Sequence, residues 1–150
     1  MNTIEEVLHK LRQAGTDVWI AGPQTESSII ALENAIGIRM PPSYRHFLAT
    51  YGGIGIDDSF VSGIIDNDPV GDGTGWLITD TTRFRNDYEM PDFLLAIQAD
   101  EDAPYCIDTR ERDADGEFAV VCYELNSRNI GLVATNFGVW ILQWLQLRSE

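Results

Sequence analysis

The chain has 150 residues, 44% of them apolar and 10% aromatic, which is enough to fill a hydrophobic core and too rich in Trp, Tyr and Phe for a disordered acidic tail. Asp and Glu number 24 against 10 Lys and Arg, giving a formal net charge of −14. A field of that sign repels phosphate backbones and anionic lipid headgroups, which disfavours nucleic-acid and membrane-surface partners. It attracts cations and basic proteins, or it serves solubility alone.

The first residues, Met1 to Glu6, lack the basic and apolar regions of a secretory signal. No apolar run approaches the roughly 20 residues that span a bilayer. The expectation is one domain over residues 1–150, in the cytoplasm. Cys106 and Cys122 lie in apolar, strand-like surroundings. A disulfide between them is geometrically possible, but two core thiols fit that compartment better.

Residues 3–14 predict an amphipathic helix, with Ile4, Val7, Leu8 and Leu11 on one face, Thr3 as its cap and Gly15 as its stop. Trp19 follows in a half-exposed connection. A second helix is expected over 26–35, capped by Thr25 and closed by Gly37. A third starts at Pro42, where proline suits the first turn, and buries Tyr44, Phe47, Leu48 and Tyr51 before Gly52-Gly53 breaks it.

Beyond that break, 60–65 reads as a short strand and 66–75 as a polar loop. Trp76 to Tyr88 carries a helix with a poor period. Strands are expected over 93–97, 105–108 and 118–125, the last a central one with both faces covered. Residues 110–117 form a turn around Asp115-Gly116. A closing helix, with Thr135 as its cap, places Phe137, Trp140, Ile141, Trp144 and Leu145 on one face. Helices first, strands next and a helix last imply an α+β fold with a mainly antiparallel sheet.

The stretch Ile29–Gly53 contains Leu32-Glu33, Gly37-Ile38, Met40-Pro41, Tyr44-Arg45, Phe47-Leu48 and Gly52-Gly53 in order. This pattern resembles the SUKH superfamily, which includes the yeast SMI/KNR cell-wall regulators and many bacterial immunity proteins. Met40 departs from the leucine more usual before the proline. The end, a strand, a short loop and a helix opening Asn136-Phe137, is similar too. The resemblance implies N-terminal helices packed on a mainly antiparallel sheet with a C-terminal helix. It also implies a binding module that neutralises a cognate bacterial toxin, many of which are basic nucleases. A regulatory or scaffold module with another cellular partner is the alternative.

The signature residues all have structural roles, so it names no active site. No metal, cofactor or catalytic residue is expected. Asp66 to Gly73 opens like a calcium loop, but Val70 and Leu77 occupy the fifth and twelfth places, where oxygen ligands are required. His9 and His46 lie far apart in sequence, no zinc spacing appears, and Ser27, Ser28 and Ser43 sit at helix starts. Between Tyr51 and Arg83 there is no basic residue at all. The expected partner-binding residues are therefore Asp57, Asp58, Asp66, Asp68 and Asp72, with Asp100, Glu101 and Asp102. Trp76 and Tyr105 are the aromatic anchors beside them.

Overall fold

Capping chemistry sets where the first helices start in the computed structural model, which describes residues 3–150. Helix α1 (Ile4–Gln13) follows Thr3, whose Oγ1 accepts from Glu6 N at 3.2 Å, and it buries Val7, Leu8 and Leu11. Helix α2 (Glu26–Ile36) follows Thr25, whose Oγ1 accepts from Ser28 N at 3.2 Å, and ends on Gly37 in the left-handed conformation. Helix α3 (Pro42–Thr50) has no cap from its own neighbours. The Glu117 carboxylate supplies it, accepting from Ser43 N at 2.9 Å and Ser43 Oγ at 2.7 Å.

Seven strands form one sheet: β1 (Val18–Ile20), β2 (Ile54–Ile56), β3 (Ser59–Val61), β4 (Leu94–Gln98), β5 (Tyr105–Arg112), β6 (Phe118–Tyr123) and β7 (Ile130–Ala134). Their spatial order is their chain order, and every neighbouring pair is antiparallel. The arrangement is α+β. Helices α1, α2, α3 and α5 (Phe137–Arg148) cover one face, over a core that includes Tyr44, Phe47, Phe137 and Trp140. Helix α4 (Leu77–Tyr88) covers the other, with Phe84 against Leu94, Ala96, Cys106, Val121 and Tyr123. Period-two alternation sends Leu95 and Ile97 of β4 to the first core and Leu94 and Ala96 to the second.

Several expectations change. Strands β1 and β2 went unread because each has three residues, too few for a periodic signal, and Gly55 weakens β2 further. The strand expected over 60–65 is β3, which leaves the sheet after the single Val61–Gln98 pair. Strand β5 continues to Arg112, so only 113–117 form the turn; its charged end is exposed and carries no apolar signature. Strand β7 is a further, unread edge strand, with Leu132 73% exposed. The cap of α5 is Asn136, accepting from Val139 N at 2.9 Å, in place of Thr135. The β5–β6 register pairs Cys106 with Val121 and Tyr105 with Cys122, so the two cysteines face opposite sides of the sheet and both are free thiols.

The signature residues explain themselves as contacts. Arg45 Nε and Nη2 donate to the two oxygens of Glu33, each at 3.0 Å, tying α3 to α2. Glu33 Oε2 also accepts from Met40 N at 2.7 Å, fixing the approach to the proline pair. Gly52 has φ +71° and lies across Gly63, where a Cβ would sit 1.8 Å from Gly52 O.

Two stability predictions follow from these contacts. Gly63→Ala is expected to cost at least about 2 kcal/mol, because backbone and not a flexible side chain must yield; denaturant unfolding measures it. Hydrogen bonding to Arg45 outweighs burial and holds the Glu33 carboxyl below its usual range. That stabilisation is full above the unfolded-state pKa and is lost as pH falls through the folded-state value. Glu33→Gln is therefore expected to destabilise by about 1–3 kcal/mol at neutral pH, with the gap to wild type closing in strong acid.

Candidate partner-binding surface

Helix α4 anchors the surface that the acidic loops surround. It has no side-chain cap; instead Leu77 N donates to Gly63 O at 3.0 Å, so the chain leaving β3 terminates the helix backbone. Thr81 Oγ1 accepts from Ala96 N at 3.0 Å, beside the irregular register of β4 at Ala96 and Gln98. Those two bonds fix the rotation of α4, and with it the placement of Asp80 and Arg83.

Three loops meet the exposed side of α4. The β2–β3 turn presents Asp58. The glycine loop presents Gly73 and Thr74, and the β4–β5 loop presents Ala99, Asp100 and Glu101. Together they form a two-part groove. The first part, about 360 Å³, lies between Asp58, Phe60, Thr74, Asp80 and Arg83. The second, about 250 Å³, runs on past Arg83 and Ala99 to Tyr88, Asp100, Glu101 and Leu125. Among the described residues, Arg83 is the one basic side chain lining either part.

The structure brings some expected residues together and separates others. Asp58, Asp100 and Glu101 line the groove. Asp72 is exposed on the loop beside Gly73, at its margin. Asp57 turns to the sheet edge, where its Oδ1 accepts from Asp17 N at 3.3 Å. Asp66 and Asp68 flank Asn67, whose Oδ1 accepts from Thr25 N at 2.8 Å, so their turn is pinned against the start of α2. Asp68 Oδ1 accepts from Val70 N at 3.1 Å, which commits that oxygen to its own turn. Asp102 is exposed, and its amide donates to Asp100 Oδ1 at 3.0 Å.

The two aromatic anchors fare differently. Trp76 is half-buried over the glycines and donates its indole N–H to Asp68 O at 2.8 Å, pinning the loop. Tyr105 belongs to the opposite face of the sheet, against Trp140 with ring centroids 5.4 Å apart. It stands outside the groove, because residue parity along β5 turns it toward α5.

Sequence reasoning missed Phe60, Asp80, Arg83, Tyr88 and Leu125 as groove residues. Asp80 is the most telling. Its side chain is 9% exposed. Ser62 Oγ donates to its Oδ2, while Arg83 Nη2 stands 3.9 Å from Oδ1, beyond hydrogen-bonding range. In the sequence it reads as an acidic residue in the first turn of a helix, an ordinary position, and nothing local marks its burial. Among the described residues, no group of three or more His, Cys, Asp or Glu is arranged to hold a metal ion, and no helix is long and apolar enough to cross a membrane.

Burial pushes the Asp80 carboxyl above its usual range, against the opposing pull of Ser62 and Arg83. A raised folded-state pKa means that ionised Asp80 costs stability, fully above that value and not at all below the unfolded-state one. Asp80→Asn, which keeps an acceptor for Ser62, is expected to raise the melting midpoint at neutral pH. Its advantage should vanish as acid protonates the wild-type carboxyl, a comparison that thermal unfolding against pH makes directly.

The SUKH_5 family model, described as SMI1-KNR4 cell-wall, matches residues 4–146. A crystal structure of a protein from Pseudomonas syringae pv. tomato is similar at 23% identity, with 78% of this chain and 82% of that chain covered and a TM-score of 0.46. No curated protein matches. The family match spans nearly the whole sequence, from α1 into α5, and the chain belongs to the SMI1-KNR4 (SUKH) family.

Proposed function

We propose that this protein is an immunity protein, a protein-interaction module that binds a cognate bacterial toxin of basic, nuclease type and neutralises it without chemistry of its own. The observation that carries the reading is the set of exposed carboxylates Asp58, Asp100 and Glu101 that line the α4 groove, with exposed Asp72 next to Gly73 on the glycine loop, in a chain of net charge −14. Family membership supports a protein partner, and the sign of the field supports a basic one.

Such a surface works in two stages. Exposed carboxylates steer the encounter, acting jointly within a Debye length of about 8 Å at physiological salt. Apolar groups then slow dissociation, and the groove offers Phe60, Tyr88 and Leu125 for that purpose. Capping the toxin's basic surface blocks its access to a phosphate backbone.

The test starts from co-purification with the product of the adjacent upstream gene. A toxin-like protein recovered this way supports the reading, and an unrelated cellular partner would replace it with a regulatory or scaffold role. With the toxin in hand, association rates are measured against ionic strength. The triple variant Asp58→Asn, Asp100→Asn, Glu101→Gln is expected to associate about three- to tenfold more slowly at low salt, with a shallower salt dependence and little change in dissociation. The parallel triple variant at Asp66, Asp68 and Asp72 is expected to change the rate less, since two of its carboxylates sit on the turn pinned to α2. Identical rates and slopes for the groove variant and wild type would mean that these charges serve solubility alone.

A further inference from the structure

The groove holds one feature that solubility and long-range steering do not require. Asp80 is nine-tenths buried at the wall of the groove, and the part of its carboxylate left open to the groove is Oδ1, which receives no hydrogen bond from any described residue. An oxygen of an otherwise buried carboxylate that opens on a groove is placed to accept from a donor that enters there. Arg83 does not fill it, being half-exposed, 3.9 Å away and lying over the Phe84 ring at 4.6 Å. Phe60 lines the same part of the groove, held edge-on by Trp19 with centroids 5.8 Å apart.

We infer that the first part of this groove is a subsite for one arginine side chain of the partner, with the guanidinium donating to Asp80 Oδ1 and lying against Phe60. This rests on the immunity reading for the identity of the partner and adds the residue that its recognition turns on. Arginine fits better than lysine for two reasons. Its planar fork donates to a carboxylate and packs on an aromatic ring at once, and it is more weakly hydrated than an ammonium, so it enters a confined site at lower cost. Asp58 at the entrance adds charge of the attracting sign, and Asp100 and Glu101 continue it along the second part. The occupant is therefore an exposed, arginine-bearing segment of a basic protein.

The experiment uses the full chain, nitrogen-15 labelled, titrated with the capped tripeptide acetyl-Gly-Arg-Gly-amide and, separately, with its lysine counterpart. The arginine peptide is expected to shift the amides of Phe60, Thr74, Asp80 and Ala99 saturably, and the lysine peptide to bind at least about tenfold more weakly. Asp80→Asn is expected to weaken the arginine peptide by about tenfold or more. Ala99→Trp fills the groove from its rim without touching the carboxylate, and it should abolish the shifts as an independent check on Asp80→Asn. Equal binding of both peptides, or shifts unchanged in Asp80→Asn or Ala99→Trp, would overturn the subsite. A toxin bound equally by wild type, Asp80→Asn and Ala99→Trp would also overturn it while leaving the immunity role intact. Selective arginine binding in a protein that captures no toxin would keep the subsite and remove that role.

Discussion

The crossing of two backbones at Gly52 and Gly63 is the constraint on which the rest of the structure depends. Ile64 N donates to Gly52 O at 3.0 Å, Gly22 N donates to Tyr51 O at 2.8 Å, and Ala21 N donates to Gly53 O at 3.0 Å. Three stretches of chain thus meet within hydrogen-bonding distance at the end of α3. A Cβ on Gly52 would lie 2.5 Å from Gly22 O and one on Gly63 would lie 1.8 Å from Gly52 O, so no side chain fits at either position. The φ of +71° at Gly52 adds a second demand that glycine alone meets without strain.

That crossing also sets the geometry of the opposite face. Ser62 precedes Gly63 and is completely buried between the two layers. Its carbonyl accepts from Tyr44 Oη at 2.7 Å on the helical side, and its hydroxyl donates to Asp80 on the α4 side. One residue therefore couples the signature helix to the groove. Burial suppresses ionisation of the Tyr44 phenol, and the Asp80 charge adds to the effect, so the phenol remains a donor to the Ser62 carbonyl throughout the ordinary pH range.

The division of labour is consistent with this layout. The residues that identify the family, among them Glu33, Arg45, Phe47 and Gly52, tie helices together or pack the core. The carboxylates proposed to meet a partner sit on the turn after β2, the glycine loop and the β4–β5 loop. Substitution there alters few buried contacts. Such an arrangement lets one scaffold carry different charge patterns while its core stays the same.

The sequence by itself determined the helices and the α+β class, because the periods at Ile4–Leu11 and Phe137–Leu145 and the caps at Thr3 and Thr25 are local signals. It also showed the acidity and its gap in basic residues between Tyr51 and Arg83. Only tertiary structure decided the rest. The three-residue strands β1 and β2 exist because they pair with each other across 34 or more residues, and Glu117 caps a helix 74 positions earlier in the chain. Of the acidic residues, Asp58, Asp100 and Glu101 reach one groove, while Tyr105 is turned to the far face by strand parity. Asp80, ordinary in sequence, becomes the buried carboxylate at the groove wall. Burial and juxtaposition are properties of the packed layers, and no local pattern of residues encodes them.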